Sequence, residues 1–104
     1  MGKTIKVFEF YHEEDRFCFS AVVYDVPVSE KFPDGRKSKF VIWDKSLGQA
    51  VFLIDNHDPF GYHDHPGLPD NHNIRETLDC DNWETAKELF VREMRRIINE
   101  SKKI

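Results

Sequence analysis

Residues 16–26, which read RFCFSAVVYDV, are the stretch that decides the fold. Apolar side chains recur there at every second position, namely at Phe17, Phe19, Ala21 and Val23. Because successive side chains of a strand point to opposite faces, this period of two predicts a strand with one face on a core and the other partly in water.

Two predicted hairpins are built around such strands. The first covers residues 4–26, with the polar break HEED at 12–15 as its turn. The second covers residues 39–56 and turns at KSLG, residues 45–48. Between the hairpins, Pro33-Asp34-Gly35 has the chemistry of a turn. Two hairpins in series indicate a four-stranded antiparallel meander.

The rest of the chain is predicted as a loop, a short strand and a helix. Residues 57–73 contain three prolines and two glycines, so we expect an irregular loop. Residues 74–80 are predicted as a short strand and residues 82–102 as an amphipathic helix. Asp81, three residues before Glu84, is the expected N-cap of this helix.

These elements predict a single α+β domain over residues 1–104, with an antiparallel sheet of four to five strands and one long C-terminal helix packed on it. Trp43 and Trp83 are expected to be core anchors. The longest apolar run, residues 50–54, is far too short for a membrane span, so we expect no membrane partner. The two cysteines are isolated in sequence, which favours a reducing, cytoplasmic location.

The histidines are concentrated in the predicted loop, and the charges are segregated around it. His57, His63, His65 and His72 are four of the five histidines in the chain. Residues 55–84 contain eight acids and one base, whereas residues 85–104 contain six bases and three acids. Because imidazoles exchange protons near neutral pH, this pattern favours an acid–base site.

One interpretation of this cluster is metal-independent RNA cleavage. One imidazole would take the 2′-hydroxyl proton of RNA and another would protonate the leaving oxygen. Arg75 is the nearest base that could stabilise the developing phosphate charge. Further phosphate attraction would come from Arg92, Arg95 and Arg96 of the helix or from residues 36–39, which read RKSK.

The alternative interpretations need no catalysis. His63-Asp64-His65, if extended, projects both imidazoles to one side, and His57, His72 or an Asp could complete a site for zinc or another divalent metal. Such a domain would bind the metal, or a protein partner, through the same loop. A third interpretation is structural: Asx residues beside Pro and Gly form turns, and the histidines only cap carbonyl groups.

The loop and its flanks resemble the TumE-like toxins, small components of toxin–antitoxin pairs. The resemblance lies in Ile54-Asp55-Asn56-His57, in Tyr62-His63-Asp64-His65, and in the strand and helix that follow. It covers approximately residues 39–98.

The resemblance implies a ribonuclease that acts on RNA and is neutralised by an antitoxin protein. A second copy of the chain is a further candidate partner under a separate interpretation, in which the domain is structural, forms a dimer and covers a sheet edge with the loop. By position, Asp55, Asn56, His57, His63 and His65 would form the site. Asp55 would orient an imidazole and Asn56 would contact the substrate.

Overall fold

Strand order follows chain order throughout the sheet. The computed structural model describes residues 5–56, 61–71, 75–78 and 82–102. The elements are β1 (Ile5–Glu14), β2 (Phe17–Asp25), β3 (Arg36–Asp44), β4 (Gln49–Asp55), β5 (His63–Asp64), β6 (Glu76–Thr77) and α1 (Trp83–Ser101). Each strand pairs antiparallel with the next, in the order β1-β2-β3-β4-β5-β6. The α+β architecture predicted from the sequence is confirmed, with six strands in place of four to five.

Local side-chain chemistry closes the two hairpins. Asp15 adopts a φ of 54° between β1 and β2, a left-handed conformation that Asp tolerates better than most residues. Between β3 and β4, Asp44 accepts hydrogen bonds from the backbone N–H groups of Ser46 and Leu47. Gly48 then supplies a φ of 68°, and its N–H donates to the Asp44 carbonyl. These turns hold β1–β2 and β3–β4 in register.

The core lies between one sheet face and α1. Phe19, Ala21 and Val23 are buried there, as their alternation predicts, and pair across the sheet with β3. Phe90 of α1 packs on Phe40, with ring centroids 5.6 Å apart, and also contacts Phe10 and Phe52. The single helix therefore stabilises the sheet mainly through aromatic and aliphatic burial.

The N-cap of the helix lies one residue later than predicted. Asn82 is the N-cap, and its side-chain oxygen accepts a hydrogen bond of 2.9 Å from the Thr85 N–H. The prediction of Asp81 as the cap is therefore wrong; Asp81 itself lies outside the described residues. Asn and Asp are equally good caps, so the pattern alone does not choose between adjacent Asp81 and Asn82.

Four other sequence predictions differ from the structure. β3 begins at Arg36, three residues before the predicted start, because its polar first half still pairs with β2. β5 lies inside the predicted irregular loop, and β6 is only two residues long within the predicted strand 74–80. The prediction that Trp43 is a core anchor is wrong: this side chain is 42% exposed. Trp83 does pack beside the core, against Phe8.

Within the described ranges, no helix combines the length and the apolar character that crossing a membrane requires.

Phe90→Ala tests the role of α1 in the core. Removing a buried aromatic side chain typically costs about 3–5 kcal/mol, so we expect a loss of that order in the free energy of unfolding, measured by urea denaturation. Leu47→Ala is the control because Leu47 is 54% exposed, and it should change stability by less than about 0.5 kcal/mol. Equal losses in the two variants would contradict this description of the core.

Candidate functional site

The candidate site lies on the sheet face opposite α1, which we call the distal face. Ile54 belongs to the core on the α1 side, so its neighbours Leu53 and Asp55 point to the distal face. Asp55 pairs directly with His63 of β5 and, on its other side, with Lys39 of β3. The site therefore belongs to the far edge of the sheet and is built on strands.

Asp55, His63 and His65 converge at this edge. One ligand atom from each of the three side chains lies within 4.8 Å of the other two. The His63 and His65 rings have centroids 5.0 Å apart. His63 is completely buried and His65 is 4% exposed, while Asp55 is partly buried. The expectation that His63 and His65 project to one side is therefore met by the strand geometry of β5, and we refer to these three residues as the Asp55 cluster.

The two ring nitrogens of His63 face different groups. Nδ1 donates a hydrogen bond of 2.9 Å to the Gly61 carbonyl, and Nε2 lies 2.6 Å from Asp55 Oδ1. Gly61 has a φ of 62°, a left-handed conformation that favours glycine. The carbonyl of a left-handed glycine thus sets the orientation of the buried imidazole.

Asn56 stabilises the chain next to Asp55 through two hydrogen bonds to the backbone of β3. Its Oδ1 accepts from the Ser38 N–H at 2.8 Å, and its Nδ2 donates to the Arg36 carbonyl at 2.7 Å. These two bonds continue the contact between β3 and β4 beyond Asp55. Asn56 is buried, and in this arrangement it positions Asp55. Its predicted contact with a substrate remains a prediction.

Tyr62, on the α1 side of the sheet, anchors the start of β5 through its hydroxyl and its carbonyl group. Its hydroxyl donates a 2.8 Å hydrogen bond to Asp34 Oδ2 and lies 3.3 Å from Ser38 Oγ. Its carbonyl accepts from the Leu78 N–H. Tyr62 is therefore held at both ends, and the neighbouring His63 is presented to the opposite face.

The other predicted site residues are distributed as follows. His57 and His72 lie outside the described residues. Arg75 is exposed and directly precedes β6. The arginines of α1 are exposed on the side of the sheet away from the Asp55 cluster, so the structure does not bring them to it: Arg92, Arg95 and Arg96. Arg96 is bonded to Glu93 and Glu100.

An aromatic and basic surface that the sequence patterns above do not predict lies beside the cluster. A hollow of about 260 Å³ lies on the distal face between Tyr24, Phe32, Lys37, Lys39 and Asp55. A second hollow, of about 400 Å³, adjoins it and is lined by Lys39, Val41, Trp43, Leu53, Leu68 and Pro69. Of this surface, the sequence predicts only the RKSK segment, residues 36–39, as a source of phosphate attraction. The period-two alternation of residues 37–43 is the signal that would have added Trp43 to the same face.

Comparison with known proteins gives no match: no protein-family model, no curated protein and no solved structure matches the chain. The resemblance to TumE-like toxins therefore depends only on the residues quoted above.

Asp64 lies between the two histidines but on the α1 side of the sheet. It pairs with Glu76 of β6. Burial raises the pKa of the Asp64 carboxyl above its ordinary value of 3.8, and the Glu76 charge raises it further. Asp64 is therefore more easily protonated in the folded chain than in the unfolded chain.

Asp64→Asn tests this shift through the pH dependence of stability. Because the folded-state pKa is raised, the ionised carboxylate lowers stability at neutral pH, and this cost disappears once the pH falls below the ordinary value of 3.8. We expect Asp64→Asn to stabilise the protein at pH 7, with relief of cross-strand repulsion on the order of 0.5 kcal/mol, and to have little effect near pH 3.

Glu76→Gln is the matched control, since it removes the same repulsion from the other strand. The two substitutions combined should stabilise the protein by less than the sum of their separate effects. A gain from Asp64→Asn that is larger at pH 3 than at pH 7 would contradict the assigned direction of the shift.

Proposed function

We propose that the protein binds single-stranded RNA on the distal face. The observation that carries this proposal is the position of Lys37 and Lys39, which border two adjoining hollows with aromatic walls. Within the described part of the chain, neither lysine has an ion-pair partner. The RNA backbone would be attracted by these ammonium groups while bases stack on neighbouring rings.

The charges of the distal face support this position for the phosphates. Two other lysines of this face, Lys6 and Lys45, form ion pairs with Glu9 and Glu13. The chain as a whole has a net charge of −4, so long-range attraction does not favour RNA. Binding would therefore depend on local positive charge, and Lys37 and Lys39 supply it.

The spacing of the side chains suits an extended polymer. Lys37, Lys39, Val41 and Trp43 alternate along β3, so that consecutive members stand roughly 7 Å apart on the distal face. Tyr24 pairs with Lys37 across the sheet. Lys39 borders both hollows. Two aromatic-walled hollows with a cation between them resemble the stacking platforms that bind successive unpaired bases.

A second candidate function is cleavage of that RNA as a TumE-type toxin. It is favoured by the pair of imidazoles in the Asp55 cluster, because Asp55 also lines the first hollow. One imidazole would accept the 2′-hydroxyl proton, and the 2′-oxygen would attack phosphorus. The other imidazole would give its proton to the departing 5′-oxygen, leaving a 2′,3′-cyclic phosphate and a 5′-hydroxyl. The resemblance adds an antitoxin that blocks this activity.

The burial of His63 and His65 limits the cleavage proposal. Neither ring offers more than a few per cent of its surface to solvent, so a phosphodiester would reach them only after local opening of the site. RNA binding needs no such opening because Lys37, Lys39 and Trp43 are exposed. We therefore give binding precedence over cleavage.

Lys37→Ala combined with Lys39→Ala tests the binding surface. The affinity for fluorescently labelled single-stranded RNA, measured by anisotropy at several salt concentrations, should fall. Loss of two phosphate contacts should also make the slope of log K against log salt shallower by about 1.4. Trp43→Ala should weaken binding by about 1–3 kcal/mol if it stacks a base.

The control for this test is Lys6→Ala combined with Lys45→Ala, which changes net charge equally on the same face. Its affinity and salt slope should stay close to those of the wild type. If both lysine pairs reduce binding equally, attraction is non-specific and the proposed surface is wrong. No measurable binding to single-stranded RNA by the wild type would also overturn it.

His63→Gln combined with His65→Gln tests cleavage. The double variant should lose RNA cleavage, measured by the appearance of 2′,3′-cyclic phosphate ends, while still binding RNA through the distal face. His12→Gln is the control because His12 contacts Glu14 away from the cluster. Cleavage that persists in a folded double variant, as judged by circular dichroism, would exclude these imidazoles as the catalytic groups.

A further inference from the structure

We infer that Asp55, His63 and His65 form a binding site for a divalent transition-metal ion such as zinc. The inference does not rest on RNA binding, since it uses only the geometry of the Asp55 cluster. Of His57, His72 or an Asp as the third ligand, it selects Asp55.

The contacts of His63 require a proton or a metal ion next to its Nε2. The Gly61 carbonyl can only accept, so the Nδ1 that contacts it must carry a proton. In the neutral imidazole, Nε2 then presents a lone pair. That lone pair faces Asp55 Oδ1 at 2.6 Å, which is repulsive for an ionised carboxylate. A hydrogen-bonded proton or a metal ion must therefore lie between the two atoms.

The position of His65 favours a metal ion over a proton. A proton shared by His63 and Asp55 needs only one imidazole and one carboxylate. The chain also places His65 in the cluster, with its ligand atom within 4.8 Å of both others and its ring centroid 5.0 Å from that of His63. Three converging donors, rather than two, match the ligand number of a metal site.

The cluster is also buried. Two nearly inaccessible imidazoles beside a partly buried carboxylate would hold an ion largely out of water, where its attraction to the carboxylate is little screened. Metal-bound histidines commonly donate their second ring N–H to a backbone carbonyl, which sets the tautomer and strengthens the ligand. The bond from His63 to Gly61 has this form.

The donor set indicates the class of metal. Two imidazole nitrogens and one carboxylate oxygen suit zinc, iron or nickel, whereas magnesium and calcium prefer oxygen ligands alone. Zinc bonds of about 2.0–2.1 Å in a tetrahedron place neighbouring ligand atoms roughly 3.3 Å apart. The contact of 2.6 Å between His63 and Asp55 would have to widen by roughly 0.7 Å to reach that spacing, which side-chain rotation can provide.

The test is calorimetric titration of the full, chelator-treated chain with zinc chloride, supported by the absorption spectrum of the cobalt(II) form. We expect one zinc ion per chain and a melting temperature that rises with added zinc. Asp55→Asn, His63→Gln and His65→Gln should each weaken zinc binding at least about 100-fold, since even groups behind the ligands are worth 10- to 100-fold.

Matched variants separate ligation from folding. His65→Cys keeps a zinc ligand and should retain one zinc per chain, whereas His65→Gln should not. His12→Gln removes a histidine outside the cluster and should bind zinc like the wild type. His72→Gln should also retain the site.

Several results would overturn the inference. These are the absence of stoichiometric zinc binding by the wild type, wild-type affinity in a folded Asp55→Asn variant, or loss of zinc binding in His12→Gln. Loss in His72→Gln with normal binding in Asp55→Asn would show that the ligand set is wrong. RNA binding by the zinc-free wild type is measured separately. This measurement distinguishes failure of the metal site from failure of the proposed RNA-binding surface.

Discussion

The pairing of Asp55 with His63 across β4 and β5 is the contact on which the geometry of the site depends. A slip of one residue in this pairing would exchange the two faces of the strand. Ile54 would then leave the core and Asp55 would enter it. Burying Ile54 against α1 therefore selects the register that holds the carboxylate against the imidazole, so the hydrophobic core positions a polar cluster on the other side of the sheet.

Because side chains alternate along each strand, the two faces of the sheet have different roles. The α1 face is closed by aromatic side chains around Phe90. On the distal face, β3 presents the charged residues Lys37 and Lys39 next to the apolar residues Val41 and Trp43. A single layer of strands can separate these tasks because each residue contributes to only one face. Asn56 and Tyr62 connect the two faces at the edge of the sheet, where β5 pairs with each of its neighbours over only two residues.

How well the sequence predicts each part of the structure depends on whether the pattern is local or involves contacts between distant segments. The strand at 16–26 and the C-terminal helix are local periodicities, and both were predicted. The shared orientation of His63 and His65 follows from their spacing of two. The pairing of β5 with β4 is a contact between segments that the local pattern does not join, so the role of Asp55 beside His63 came only from family resemblance. Trp43 was assigned to the core because aromatic residues usually lie there, although its neighbours on β3 already placed it on the polar side.

The distal surface and the Asp55 cluster are joined at one residue. Asp55 lines the hollow bordered by Lys37 and Lys39, while His63 and His65 lie behind it and are buried. A molecule on the distal face would therefore meet the carboxylate before either imidazole. Because a carboxylate repels phosphate, Asp55 weakens the attraction that Lys37 and Lys39 exert on RNA in this hollow. A cation held between Asp55 and the two imidazoles would reduce this repulsion, so occupancy of the metal site should increase the RNA affinity that the two lysines already provide.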